Sequence, residues 1–158
     1  MKKMAKKNYQ AEFDAKKTCR VIGTNKPVSL KYSTELIREI KGKPVLSAEA
    51  FLNRILEKTD HLPLRRYVSK IGHRKGQARS FTKTGKYPIN VAKVFLRLLS
   101  DLKANADYKG MNAEKLLIVH GFASLGYRRM SNQPQGRISG KPRKNKSTHI
   151  ELIALEAA

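Results

Sequence analysis

Between Glu114 and Glu151 the chain has no acidic residue, yet it carries Lys115, Arg128, Arg129, Arg137, Lys141, Arg143, Lys144 and Lys146. Residues 116–123 and 148–155, at the two ends of this stretch, are apolar and rich in β-formers, and the second alternates Ile150, Leu152 and Ala154 with His149 and Glu151. The part between them holds Gly126, Pro134, Gly136, Gly140 and Pro142, and each proline removes a ladder donor, so pairing should become irregular toward the tip. A segment this charged buries too little apolar surface to form a core of its own and needs a polyanionic partner to order it. The pattern predicts two strands of a domain prolonged as a basic β-hairpin arm over about 121–149, turning near Gln135. At about 3.3 Å per residue, a leg of about 12 residues reaches roughly 40 Å. A compact domain of this size has a radius of gyration of only about 13 Å.

The rest of the chain has the same sign. Its 34 Lys+Arg against 12 Asp+Glu give a formal charge of +22, which resists compaction unless phosphates or counter-ions neutralise it. A second acid-free stretch, between Asp60 and Asp101, holds Arg65, Arg66, Lys70, Arg74, Lys75, Arg79, Lys83, Lys86, Lys93 and Arg97. Two basic surfaces are therefore expected. Because a guanidinium fork bridges phosphates or stacks on bases, the leading contacts are Arg65, Arg66, Arg74 and Arg79 in the loop and Arg128, Arg129, Arg137 and Arg143 in the arm. Lys75, Lys83, Lys86, Lys141, Lys144 and Lys146 follow, while Arg38, Arg54 and Lys58 read as solvated helix charges. Tyr67, Phe81, Tyr87 and Tyr127 are interleaved with cations, which suits base stacking, although packing under the long helix accounts equally well for Tyr87.

The length of 158 residues suits one domain. Residues 1–24, with Lys2, Lys3, Lys6, Lys7, Lys16 and Lys17, read as a basic tail, and 25–158 as a single α+β domain with the arm. Within it, 27–32 alternates like a strand. Ser33 and Ser47 stand where they would cap two helices, with Leu36, Ile37 and Ile40 and then Ala48, Phe51, Leu52, Ile55 and Leu56 as buried stripes. Pro88 opens the strongest helix, with Val91, Val94, Phe95, Leu98, Leu99 and Leu102 on one face and Gly110 at its end. Cys19 is the only cysteine, which excludes an intramolecular disulfide and a Cys-based zinc site and fits a reducing compartment. Apolar runs are too short for a membrane span, so a soluble protein is expected.

Two catalytic or metal readings compete with binding. His61, His73, His120 and His149 invite one, the last two if the final strands set them face to face. No His-Glu helix motif, cysteine ligand or paired carboxylate accompanies them, and a satisfied strand histidine is the commoner arrangement. An RNA-processing enzyme using His73 and Lys75 as an acid-base pair would need an oriented carboxylate in the basic stretch, which has none. A sequence-tolerant DNA- or RNA-compacting protein shares the charge but gives no reason for the arm.

Five pieces in order carry a family resemblance: Ser33-Thr34-Glu35 through Ile40-Lys41-Gly42, Pro63-Leu64-Arg65-Arg66-Tyr67, Asn105-Ala106-Asp107 with Gly110, Gly136-Arg137-Ile138, and Ser147-Thr148-His149-Ile150. Together with the hairpin length they resemble the universal large-subunit ribosomal protein numbered twenty-two in bacteria and seventeen in eukaryotes, over roughly residues 26–155. The Pro63 motif and the loop after it resemble the archaeal and eukaryotic branch, which implies a eukaryotic-type ribosome in the cytoplasm, with nuclear and nucleolar assembly if the source is eukaryotic. Eukaryotic relatives usually carry tryptophans before the long helix, where this chain has Phe81, Thr84-Gly85-Lys86 and Tyr87.

The resemblance implies a three-stranded antiparallel sheet packed on three helices, the last two strands prolonged as the arm. It also implies no enzymatic activity and no cofactor apart from structural Mg2+ of the RNA. The implied partners are large-subunit ribosomal RNA, neighbouring ribosomal proteins near the tunnel exit and the nascent polypeptide, with no membrane contact and no homo-oligomer. The tip residues Met130, Gln133, Gln135, Gly136, Arg137 and Ile138 would border the peptide exit tunnel.

Overall fold

The computed structural model describes residues 9–14, 17–73, 82 and 84–157. Three strands, β1 (Thr18–Lys26), β4 (Leu116–Leu125) and β7 (Thr148–Glu156), form an antiparallel sheet in the order β1-β7-β4. Helices α1 (Leu30–Ile40), α2 (Val45–Leu56) and α3 (Ile89–Tyr108) supply the other layer. Two short ladders complete the described fold: β2 (Leu62–Pro63) with β3 (Gly85–Lys86), and β5 (Arg129–Asn132) with β6 (Pro142–Asn145). This is the α+β architecture expected from the resemblance.

The long helix forms where the apolar periodicity put it. Val91, Ala92, Phe95, Leu98, Leu99, Leu102 and Ala106 are buried along one face, and Gly110 ends the segment at φ +71, a conformation a side chain resists. That face meets Leu52 and Ile55 of α2 and Cys19 and Val21 of β1 in one cluster, with Leu36, Ile40, Leu116, Ile118, Leu152 and Ala154. Each large side chain removed from water here contributes roughly 1.5–3 kcal/mol. At Gly23 a Cβ would stand 3.0 Å from the Leu98 side chain, so β1 approaches α3 closely at that point.

The first elements differ from the sequence reading. The strand is Thr18–Lys26, reaching into the segment read as tail, while 27–32 runs into α1. The alternation of Val28, Leu30 and Tyr32 is the entry to a helix whose N-cap is Ser29. Ser33 lies inside that helix, buried, its Oγ donating to the Ser29 carbonyl at 2.9 Å, a backward bond in place of the forward bond of a cap. Likewise α2 starts after Pro44, ahead of the exposed Ser47. Gly42, at φ +80, turns the chain between these helices, and its N–H donates to the Ile118 carbonyl at 2.7 Å.

The sheet's second face is covered as well. Ile153 has no exposure, although its neighbours Leu152 and Ala154 belong to the helix-side cluster and it does not. Residues 9–14 lie on that side: Gln10 N–H donates to Glu151 Oε1 at 3.1 Å, and the Phe13 ring stands 6.4 Å from that of His120. No helix among the described residues is long and apolar enough to cross a membrane.

Because the apolar cluster lies wholly outside residues 128–146, replacing them with a two-residue Asn-Gly turn should leave a cooperatively folding domain. Thermal unfolding followed by circular dichroism checks this, and loss of the sigmoidal transition would make the arm part of the core's support.

Candidate nucleic-acid interface

The arm begins where the sheet stops. After the last pair of the main sheet, Leu125 with Thr148, Gly126 N–H donates to the Ser147 carbonyl at 2.9 Å. The β5–β6 ladder then resumes, pairing Arg129, Met130, Ser131 and Asn132 with Asn145, Lys144, Arg143 and Pro142. Strand alternation puts Arg129, Ser131, Arg143 and Asn145 on one face and Met130, Asn132, Pro142 and Lys144 on the other. Pro142 is accommodated as the last rung. Beyond it, Gly136 and Gly140 take φ +89 and +77, and Gly140 N–H donates to the Gln133 carbonyl at 2.8 Å to close the tip.

Arg128, Arg129, Arg137, Lys141, Arg143, Lys144 and Lys146 are all exposed on this arm. Arg143 donates to Gln133 Oε1, and Asn145 Nδ2 to Ser131 Oγ at 3.1 Å, so one face is braced by side-chain bonds. At the tip Met130 and Ile138 are 58% and 49% exposed, Gln135, Gly136 and Arg137 are exposed, and Gln133 is half-buried.

The root of the arm is held by a network that sequence reading missed. Asn25, at φ 50 beside the β1 bulge, accepts from Tyr127 N–H at 3.0 Å and from Ser147 Oγ at 3.3 Å through its Oδ1. Ser147 Oγ also lies 2.6 Å from the Tyr127 carbonyl oxygen, and Thr148 Oγ1 donates to the Val28 carbonyl at 2.8 Å. A Cβ on Gly126 would fall 2.6 Å from Ser147 Oγ and 2.8 Å from Asn25 Oδ1. The partners are about a hundred positions apart in sequence, and no local pattern announces them.

The second basic stretch begins at the β2–β3 ladder. Leu62 pairs with Lys86 and Pro63 with Gly85, while Leu64 N–H donates to the Thr84 carbonyl at 3.1 Å. Arg65 is half exposed but ion-paired with Glu39 at 3.1 Å, so its expected phosphate contact would compete with a carboxylate. Arg66 is exposed and Lys86 half-buried. Arg74, Lys75, Arg79, Phe81 and Lys83 lie outside the described residues.

Among the described residues the two strand histidines do not form a catalytic pair. His120 and His149 do not face one another: the register sets His120 opposite Ile153 and His149 opposite Ser124. His120 Nε2 instead meets Glu151 Oε1 at 3.0 Å, and His149 Nδ1 accepts from Asn25 N–H at 3.2 Å. Among the described residues no group of histidines, cysteines and carboxylates is arranged to hold a metal ion. Cys19 is buried, and that burial pushes its thiol pKa up, opposite to what a reactive thiolate needs.

A small α+β domain with an uncovered cationic hairpin, and with His120 and His149 engaged by Glu151 and Asn25, has the form of a basic binding protein. More particularly, the sequence profile of ribosomal protein L22p/L17e matches residues 21–154, and the chain belongs to that family. Similar proteins include the large ribosomal subunit protein uL22 of Ignicoccus hospitalis, 36% identical over 147 residues and covering 92% of either chain. Those of Methanococcus aeolicus and Thermofilum pendens are 34% and 35% identical, covering 97% and 94% of this chain and 99% and 95% of theirs. The protein is thus a ribosomal protein of the large-subunit type, of a family that is structural and not enzymatic. These relatives are archaeal, in keeping with the branch read from the Pro63 motif, and they lend no support to nuclear assembly.

Gly126→Ala should lower stability by about 1–3 kcal/mol through crowding at the root. Urea unfolding measures this, and a loss near zero would mean that Ser147 and Asn25 give way without strain.

Proposed function

We propose that this protein is a structural constituent of the large ribosomal subunit that binds ribosomal RNA, supports subunit assembly, and carries its arm to the wall of the nascent-peptide exit tunnel. The observation that carries the reading is the arm itself: a two-stranded ladder with exposed cations, no carboxylate, and no buried apolar side chain between Arg129 and Asn145. An isolated two-stranded hairpin is marginal in water. Threaded through folded RNA, its guanidinium and ammonium groups replace condensed counter-ions on phosphates, which favours binding and orders the strands.

The partition of roles follows from the chemistry along the arm. Arg128, Arg129, Arg143, Lys144 and Lys146, on the ladder or just beside it, would neutralise RNA phosphates. The tip residues Met130, Gln133, Gln135, Gly136, Arg137 and Ile138 mix amide, apolar and cationic groups and would border the tunnel, within reach of the nascent polypeptide. Lys141 and Lys86, with Arg66 and the less available Arg65, would add RNA contacts, as would Arg74, Lys75, Arg79 and Lys83 between β2 and β3 in sequence. Neighbouring ribosomal proteins near the tunnel exit are the remaining partners, and Mg2+ enters only as the RNA's own ions.

Sucrose-gradient fractionation of cell extract tests the assembly. The chain should sediment with the large subunit through a high-salt wash, and substituting Gln for Arg128, Arg129, Arg137 and Arg143 together should deplete it from that peak. Release of the unaltered chain into the light fractions would contradict the reading.

A further inference from the structure

The loop that leaves β2 is anchored by a buried acid. Glu35 projects from the core side of α1, is 2% exposed, and its Oε1 accepts from the backbone N–H groups of Arg66 at 2.7 Å and Tyr67 at 3.0 Å. A carboxylate in that position destabilises the fold unless it is hydrogen-bonded, and here the two amides meet it. They also fix where the side chains of Arg66 and Tyr67 emerge.

What emerges is an aromatic ring with two cations close to it. Lys31 Nζ stands 5.4 Å from the centroid of the Tyr67 ring and Arg66 Cζ 5.7 Å from it. Among the described residues, neither Lys31 nor Arg66 takes part in an ion pair. Beside the ring opens a groove of about 340 Å³ lined by Ser29, Lys31, Tyr32, Arg66, Tyr67, Ser69 and Ile71. That volume is at the small end of ligand pockets, which run from roughly 300 to 1,000 Å³.

Simple phosphate neutralisation needs cations alone. The two tyrosines, two cations and two serine hydroxyls here match the parts of one nucleotide: a π-face for the base, positive charge for the phosphates on either side, and hydroxyls for the ribose. A duplex keeps its bases stacked and would leave the ring without a partner, so the fit is to an unpaired residue of folded RNA. We propose that this groove is a single-nucleotide subsite in which one unstacked base of RNA lies against Tyr67 while Lys31 and Arg66 hold the flanking phosphates. Glu35 is then the positioning residue that holds the site in place. The inference rests on the RNA-binding reading above.

The test compares binding of the full chain to dodecameric oligoadenylate and to an abasic oligomer of the same backbone, at matched salt, with deproteinised large-subunit RNA as a separate probe. Base stacking predicts roughly tenfold tighter binding of the oligoadenylate. Tyr67→Phe should keep that ratio and Tyr67→Leu should abolish it without changing the salt dependence. Lys31→Gln with Arg66→Gln should weaken both oligomers and lower the slope of log affinity against log salt by about 1.4. Since Tyr67→Leu also removes packing from the loop, photo-cross-linking of the unaltered chain to an iodouridine-bearing oligomer gives an independent readout, with the adduct expected on the peptide containing Tyr67. A base preference that survives Tyr67→Leu, or adducts confined to the arm, would overturn the subsite while leaving RNA binding intact. Failure of the unaltered chain to bind the large-subunit RNA would overturn the RNA-binding reading itself.

Discussion

Scarcity of carboxylates governs this molecule. With 12 acids against 34 Lys+Arg, charge cannot be balanced within the chain, and the acids that build the fold are placed where each does most. Glu35 receives two loop amides, Glu151 receives Gln10 N–H and meets His120, Asp60 receives His61 N–H and pairs with Arg54, and Glu49 pairs with Lys103. Buried carboxylates so bonded hold loops and the N-terminal segment to the core. None is spent on the arm. The fold closes on its own acids and leaves the arm's cations unopposed, which is the electrostatic condition for a tight, salt-sensitive association with a polyanion.

Elements with repeated apolar spacing were legible in the sequence. The stripe from Val91 to Leu102 and the alternation of Ile150, Leu152 and Ala154 each report a buried face directly, and β4 and β7 pair as their composition suggested. β1 was not legible, because it lies against a lysine-rich start and one of its helix-facing positions is Gly23, whose role is close approach to Leu98. The short run over 27–32 misled for the opposite reason: alternating residues at a helix entry imitate a strand over five or six positions. Ser33 and Ser47 failed as caps because a serine inside a helix can bond backward to the preceding turn, as Ser33 does, or simply face solvent.

On the arm, the exposure of the cations could be anticipated from the sequence but the contacts that support it could not. The absence of acids marked the arm as cationic, since composition needs no knowledge of contacts. The Asn25, Tyr127 and Ser147 network and the Glu35 anchor join residues far apart in sequence, and only the folded chain brings them together. Lys31 illustrates the same point: read as part of a strand, it carried no meaning until α1 turned it toward Tyr67. Arg65, by contrast, looked free in sequence and is engaged by Glu39.

The central claim is that the domain is complete without its partner and the arm is ordered by RNA. Hydrogen exchange over residues 129–145, in the free chain and bound to deproteinised large-subunit RNA, tests it most directly. The account predicts fast exchange in the free arm beside slow exchange in α3 and β7, with strong protection of the arm on binding. Core-like protection of the free arm, or an arm whose exchange RNA leaves unchanged, would contradict it.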